Sequence, residues 1–126
     1  MPDINSDGSS ELLLTAEDWT SWTQTANPGL KMRELWQREG GLSIALLHFS
    51  AGASMATRHR HASNQFMYCL SGRYAYPSSD IVLAPGDFYW NPKGNHHGPT
   101  EALEPTTLIE IYDGPHYVDV SEAPVL

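Results

Sequence analysis

Residues Gly52–Gly72 read GASMATRHRHASNQFMYCLSG, and residues Gly86–His97 read GDFYWNPKGNHH. In the first stretch one residue separates His59 from His61. Residues two apart in a strand point to the same face, so both imidazoles can reach one point. Gln65 opens the strand that follows, and the alternation places Gln65, Met67 and Cys69 on one face and Phe66, Tyr68 and Leu70 on the other. The second stretch is a turn at Gly86, a short aromatic strand at Phe88–Trp90, a Pro92-Lys93-Gly94 turn and the pair His96-His97. Imidazole nitrogen suits Zn, Fe, Ni, Cu and Mn, and three imidazoles on rigid strands make a site with open positions. Taken alone, His-x-His also fits two packed or surface histidines with Arg58 and Arg60 turned to solvent.

Outward from these stretches, the chain continues as short strands divided by turn residues. Lys31–Glu39 reads as a strand, with Met32, Glu34, Trp36 and Arg38 on one face, and Gly40-Gly41 turns it. Ser43–Phe49 is nearly continuous in apolar residues, as a strand buried on both faces would be. Arg73–Tyr76, Ile81–Leu83 and Thr106–Tyr112 are further strands, and Glu11–Leu14 is a candidate edge strand. Ten glycines and nine prolines leave no stretch for a long helix, so the class is all-β, with roughly eight to ten strands in a sandwich or closed barrel. Residues 1–10 read as a disordered tail and residues 11–126 as one domain, since 126 residues supply one core and not two.

Composition narrows the function. Seven basic against fifteen acidic side chains give a net charge of −8, with no Lys/Arg cluster for nucleic acid or an anionic membrane. No apolar run approaches the ~20 residues of a membrane span. The polar start lacks the pattern of a secretion signal, and a single cysteine, Cys69, rules out an internal disulfide; both fit a cytoplasmic protein.

The two stretches together resemble the paired motifs of the cupins. Gly52, His59-Arg60-His61, Gln65 and Gly72 follow the first motif, with one extra residue before His59. Gly86, Pro92, Gly94 and His97 follow the second. The resemblance implies a double-stranded β-helix, or small jelly-roll barrel, with a divalent transition metal held at one end by His59, His61 and His97. Its register selects His97 over His96, and adjacent strand residues point oppositely, so only one of them should bind. Where most relatives carry Glu, this chain carries Gln65. Two readings stay open there: the amide oxygen is a fourth ligand, or Gln65 only hydrogen-bonds beside a three-histidine centre. Either way no carboxylate offsets the cation, which favours an anionic, bidentate ligand.

Candidate pocket walls are Met67, Tyr89, Trp36 and Phe49, although aromatics at strand spacing are most often plain core. Glu110 alternates with Ile109 and Ile111 and is the candidate acid/base group, with an outward, solvated position as the more frequent fate of a carboxylate. His48 reads as a packed histidine and His116 as an exposed one. Similarity to cupins that cleave β-diketones and hydroxyketones implies an Fe(II) dioxygenase, with Zn, Ni or Mn as other metals. The alternatives are a non-redox isomerase or lyase of a sugar acid or carboxylate, and a non-catalytic small-molecule binder. A homodimer is expected from family habit.

Overall fold

Strand alternation sets the architecture. In Gln65–Ser71 the odd positions Gln65, Met67 and Cys69 are buried while Tyr68 and Leu70 are exposed, so this strand has one inner and one outer face. The computed structural model describes residues 11–15, 21–55 and 57–116. The expected tail at residues 1–10 lies outside the described residues. Residues 11–15 carry no regular structure, so the expected strand at Glu11–Leu14 is corrected: Leu13 is 78% exposed and pairs with no strand among the described residues.

Among the described residues nine strands follow in order: β1 (Thr23–Gln24), β2 (Leu30–Gln37), β3 (Leu42–Phe49), β4 (Gln65–Ser71), β5 (Tyr74–Tyr76), β6 (Ile81–Leu83), β7 (Phe88–Asn91), β8 (Glu101–Ala102) and β9 (Thr106–Asp113). They form a six-stranded sheet in the order β1-β2-β3-β9-β4-β7 and a three-stranded sheet in the order β6-β5-β8. Every pairing is antiparallel. The crossing order, with late β9 between early β3 and β4, is that of a jelly roll rather than a meander. No helix among the described residues is long and apolar enough to cross a membrane.

The core lies between the two sheets. Leu30, Leu47, Phe49, Met67, Tyr74 and Leu108 form its centre. Inner positions line up across the large sheet in rungs. Glu34, Ala45, Glu110, Met67 and Tyr89 make one rung, and Ser43, Tyr112, Gln65 and Asn91 make the next. The first rung carries two carboxyl groups, Glu34 and Glu110, and the second is polar throughout, so the site occupies this end of the large sheet.

One irregularity moves a residue. The pairing of β2 with β3 steps from Glu34↔Ala45 to Trp36↔Ile44, so Leu35 is an extra residue, a β-bulge. Because side chains alternate with a period of two, one extra residue reverses the faces beyond it. Met32 and Glu34 point inward as expected. The expectation that Trp36 walls the pocket is corrected: it lies on the outer face, with the Arg38 guanidinium 4.7 Å above its ring.

Candidate metal centre

His59 and His97 belong to distant stretches yet pair as an isolated antiparallel bridge. The His59 amide donates to the His97 carbonyl at 2.9 Å, and the His97 amide donates to the His59 carbonyl at 2.8 Å. The Gly94 amide donates to the His61 carbonyl at 3.0 Å. Gly94 makes the reversal at φ +80°, a region open to glycine at little cost. Gly98, at φ +85°, lies where a Cβ would meet the Thr57 carbonyl oxygen at 3.0 Å, so the chain beside His59 also requires glycine. The Pro-x-Gly turn thus brings the third histidine onto the first two by backbone pairing.

The side chains converge as well. His59, His61 and His97 are all at most 5% exposed. Nε2 of His97 lies 3.0 Å from Nε2 of His61 and 3.0 Å from Nε2 of His59. His96 is exposed and takes no part. Hydrogen bonds on the far nitrogens fix what faces the centre. Nδ1–H of His59 donates to the Thr57 carbonyl at 2.8 Å, and Nδ1–H of His61 donates to the His116 carbonyl at 2.7 Å. A carbonyl oxygen has no proton to give, so Nε2 of both rings is a bare lone pair. Nδ1 of His97 lies 2.9 Å from Tyr89 Oη, a contact that holds the plane of the third ring.

Three nitrogens so arranged fit a cation. A single proton on His97 Nε2 can satisfy one neighbour but not both, and burial makes an imidazolium costly here. With metal–nitrogen distances of about 2.1 Å, a 3.0 Å separation corresponds to an angle of about 90°. Three imidazoles would leave further positions on such an ion for other ligands. Among the described residues these three are the group placed to hold an ion.

Burial pushes the His61 imidazole down to about 4 and the His97 imidazole down to about 3, with nearby histidines adding to both; burial also lowers His59. The folded chain therefore binds fewer protons than the unfolded chain below the ordinary value of 6.5, and folding loses free energy as pH falls through that range. In the presence of a chelator, the thermal midpoint is expected to fall steadily from pH 7 to pH 5, above the ordinary carboxylate range. A flat midpoint over that interval would contradict neutral, buried rings.

Beside the histidines, Gln65 Nε2 donates to Glu110 Oε2 at 2.7 Å and to Tyr112 Oη at 3.2 Å. Asn91 Nδ2 donates to Gln65 Oε1 at 3.3 Å. Tyr112 Oη donates to Glu110 Oε2 at 3.3 Å. Both donors to Glu110 converge on Oε2, and the carboxyl lines the internal cavity. Glu110 therefore points inward, against the more frequent outward fate of a carboxylate. Burial raises its pKa, and the bonds from Gln65 and Tyr112 partly oppose that rise.

The cavity runs from the histidines into the core. Phe49 and Met67 line it, while Tyr89 lies behind His97, stacked on Tyr76, instead of on the cavity wall. Burial pushes the Tyr89 hydroxyl up to about 12, so it stays protonated. The enclosed volume is about 60 Å³, and about 10–15 Å³ holds one water, so the space suits a small molecule.

Sequence reasoning missed His116. It is half-buried rather than exposed: its ring stacks on Tyr112 at 3.9 Å, and its Nε2 lies 2.9 Å from Ser43 Oγ. Nothing in the local sequence marks it, because its main contribution to the site is a backbone carbonyl. Tyr112 could have been found, since it shares the alternation of Leu108 and Glu110.

Over residues 10–116 the sequence matches the family of ChrR cupin-like domains. The chain belongs to that family. Solved structures of other cupins share the fold. KdgF from Halomonas sp. is 24% identical, over 88% of this chain and 98% of that one, with a TM-score of 0.69. An acetylacetone dioxygenase from Acinetobacter johnsonii is 16% identical, over 100% of this chain and 90% of that one, at 0.76. The anti-sigma protein ChrR of Rhodobacter sphaeroides, solved with SigE, is 16% identical, over 74% of this cupin and 49% of that chain, at 0.62. No curated protein matches this cupin.

Proposed function

We propose that this cupin is a metal-dependent enzyme acting on a small anionic or chelating carbonyl compound, and that its reaction is oxidative cleavage of a β-dicarbonyl or hydroxyketone with Fe(II). The observation that carries the reading is the meeting of three buried Nε2 atoms beside a cavity. A divalent cation there supplies Lewis-acid polarisation of a carbonyl, and iron adds a path for electrons to dioxygen. His59, His61 and His97 are its three protein ligands in this reading. Gln65 serves as the holder of Glu110, because its amide nitrogen is committed to that carboxylate and to Tyr112.

Glu110 acts as the base. It lines the cavity and takes the proton from the carbon between or beside the substrate carbonyls. The apolar walls at Leu30, Met32, Leu47 and Phe49 accept the hydrocarbon part and exclude water. The likeness in fold to an acetylacetone dioxygenase adds to the oxidative reading. A second reading, a non-redox isomerase or lyase, is supported by the inward carboxyl of Glu110, which needs no oxygen to move a proton.

Oxygen-electrode measurements separate them. Protein loaded with Fe(II) is expected to consume dioxygen with acetylacetone in proportion to substrate, and protein loaded with Zn is expected to consume none. Turnover of a carbonyl substrate with Zn or Ni and no oxygen uptake would replace the first reading with the second.

A further inference from the structure

Two carboxyl groups, not one, face the cavity. Glu34 on β2 stands opposite Ala45 on β3, and Ala45 stands opposite Glu110 on β9. Adjacent strands lie about 4.8 Å apart, so the two glutamate backbones are separated by about 10 Å across the same rung. The residue between them is alanine, the smallest inner side chain of the rung, and both glutamates line the internal space. A larger residue at 45 would fill the gap; the methyl leaves it open to a ligand.

The two differ in their access to water. Glu110 is partly buried, lines the inner cavity and is held by Gln65 and Tyr112. Glu34 is partly buried too, but unlike Glu110 it also lines a second, outer cleft with Gln37, Arg38, Gly41 and Leu42. Ser43 and His116 border both spaces, so Glu34 stands at the threshold between cavity and solvent. The bulge at Leu35 fixes this place: Glu34 is the last residue of β2 to point inward before the faces reverse.

We propose that Glu34 is a second proton-transfer residue of the cavity, delivering a proton to substrate oxygen opposite the base Glu110 and recovering it from solvent through the outer cleft. This rests on the metal-dependent reading above and assigns it a substrate class, α-hydroxyketones and related sugar-like carbonyl compounds. The Glu110 carboxylate takes the proton from the carbon next to the carbonyl, and that C–H bond breaks. Its electron pair becomes the C=C bond of an enediol. The former carbonyl oxygen takes the proton of the Glu34 carboxyl, which is left as carboxylate until water restores it. No electrons leave the substrate, so the step needs no oxidant. Burial raises the pKa of Glu34, which favours the protonated form that the step requires.

The test uses the full chain loaded with Zn, without oxygen, in D₂O, with dihydroxyacetone as probe and proton NMR as readout. The wild type is expected to exchange carbon-bound protons for deuterium faster than free Zn in solution. Glu34→Gln should slow exchange about 10²-fold or more while keeping the wild-type metal content and thermal midpoint, and Glu34→Asp should recover part of the rate. Exchange by Glu34→Gln at the wild-type rate would overturn the proposal, as would a wild type that holds one metal per chain and exchanges nothing. A wild type that holds no metal fails the earlier reading instead, and metal analysis of the same samples tells the two failures apart.

Discussion

His97→Ala is expected to lower bound metal from about one ion per chain to less than a tenth of that. In the proposed centre this ring is the nitrogen that the second motif offers, and its backbone bridge to His59 does not depend on the side chain. Removing it would leave two nitrogens, both on one stretch of chain, to hold the ion. Ligand binding stabilises the folded state by mass action, about 2.7 kcal/mol when free ligand stands a hundredfold above its dissociation constant. Wild type should therefore melt at a higher temperature with added metal than with chelator, and the variant should melt at one temperature under both conditions. The substitution also removes a ring packed between Tyr76 and the other two imidazoles, so some loss of intrinsic stability accompanies it. Metal analysis by mass spectrometry and melting scans give both numbers. Full metal occupancy in His97→Ala would end the case for a three-histidine centre.

Glu110→Gln should divide activity from stability. The substituted amide keeps the shape of the carboxyl, and its oxygen can still accept from Gln65 and Tyr112. What is lost is the base. Turnover should fall by about 10²–10⁴-fold, the usual worth of a positioned general base, with metal content unchanged. Removing a buried ionisable group at constant volume commonly costs little and can stabilise, so the melting temperature should hold or rise. Steady-state rates, metal analysis and melting curves on one preparation are enough to check this. Wild-type turnover in the variant would remove Glu110 from the chemistry and leave it a structural acceptor for Gln65.

Much of this was legible in the chain itself. His59 and His61 share a face because strands alternate, and the Pro92-Lys93-Gly94 turn returns the chain, so the meeting with His97 follows from local rules joined to a familial pattern. The period-two pattern of β4 put Gln65, Met67 and Cys69 inside. Trp36 failed for an equally physical reason. A bulge inserts one residue without any mark in composition, and every inference beyond it changes face.

What the amino-acid order determined alone is therefore the all-β class, the strand faces between irregularities, and the three imidazoles as a set. These depend on short-range alternation and turn chemistry, which act over a few residues. Only the tertiary structure decided that β9 lies between β3 and β4, that Glu110 points inward against Gln65, that the carbonyl of His116 orients His61, and that Glu34 faces Glu110 across Ala45. Those facts depend on pairing between strands far apart in the chain. No local preference encodes such pairing; it is settled by which arrangement buries the most apolar surface while leaving few buried polar groups without a partner.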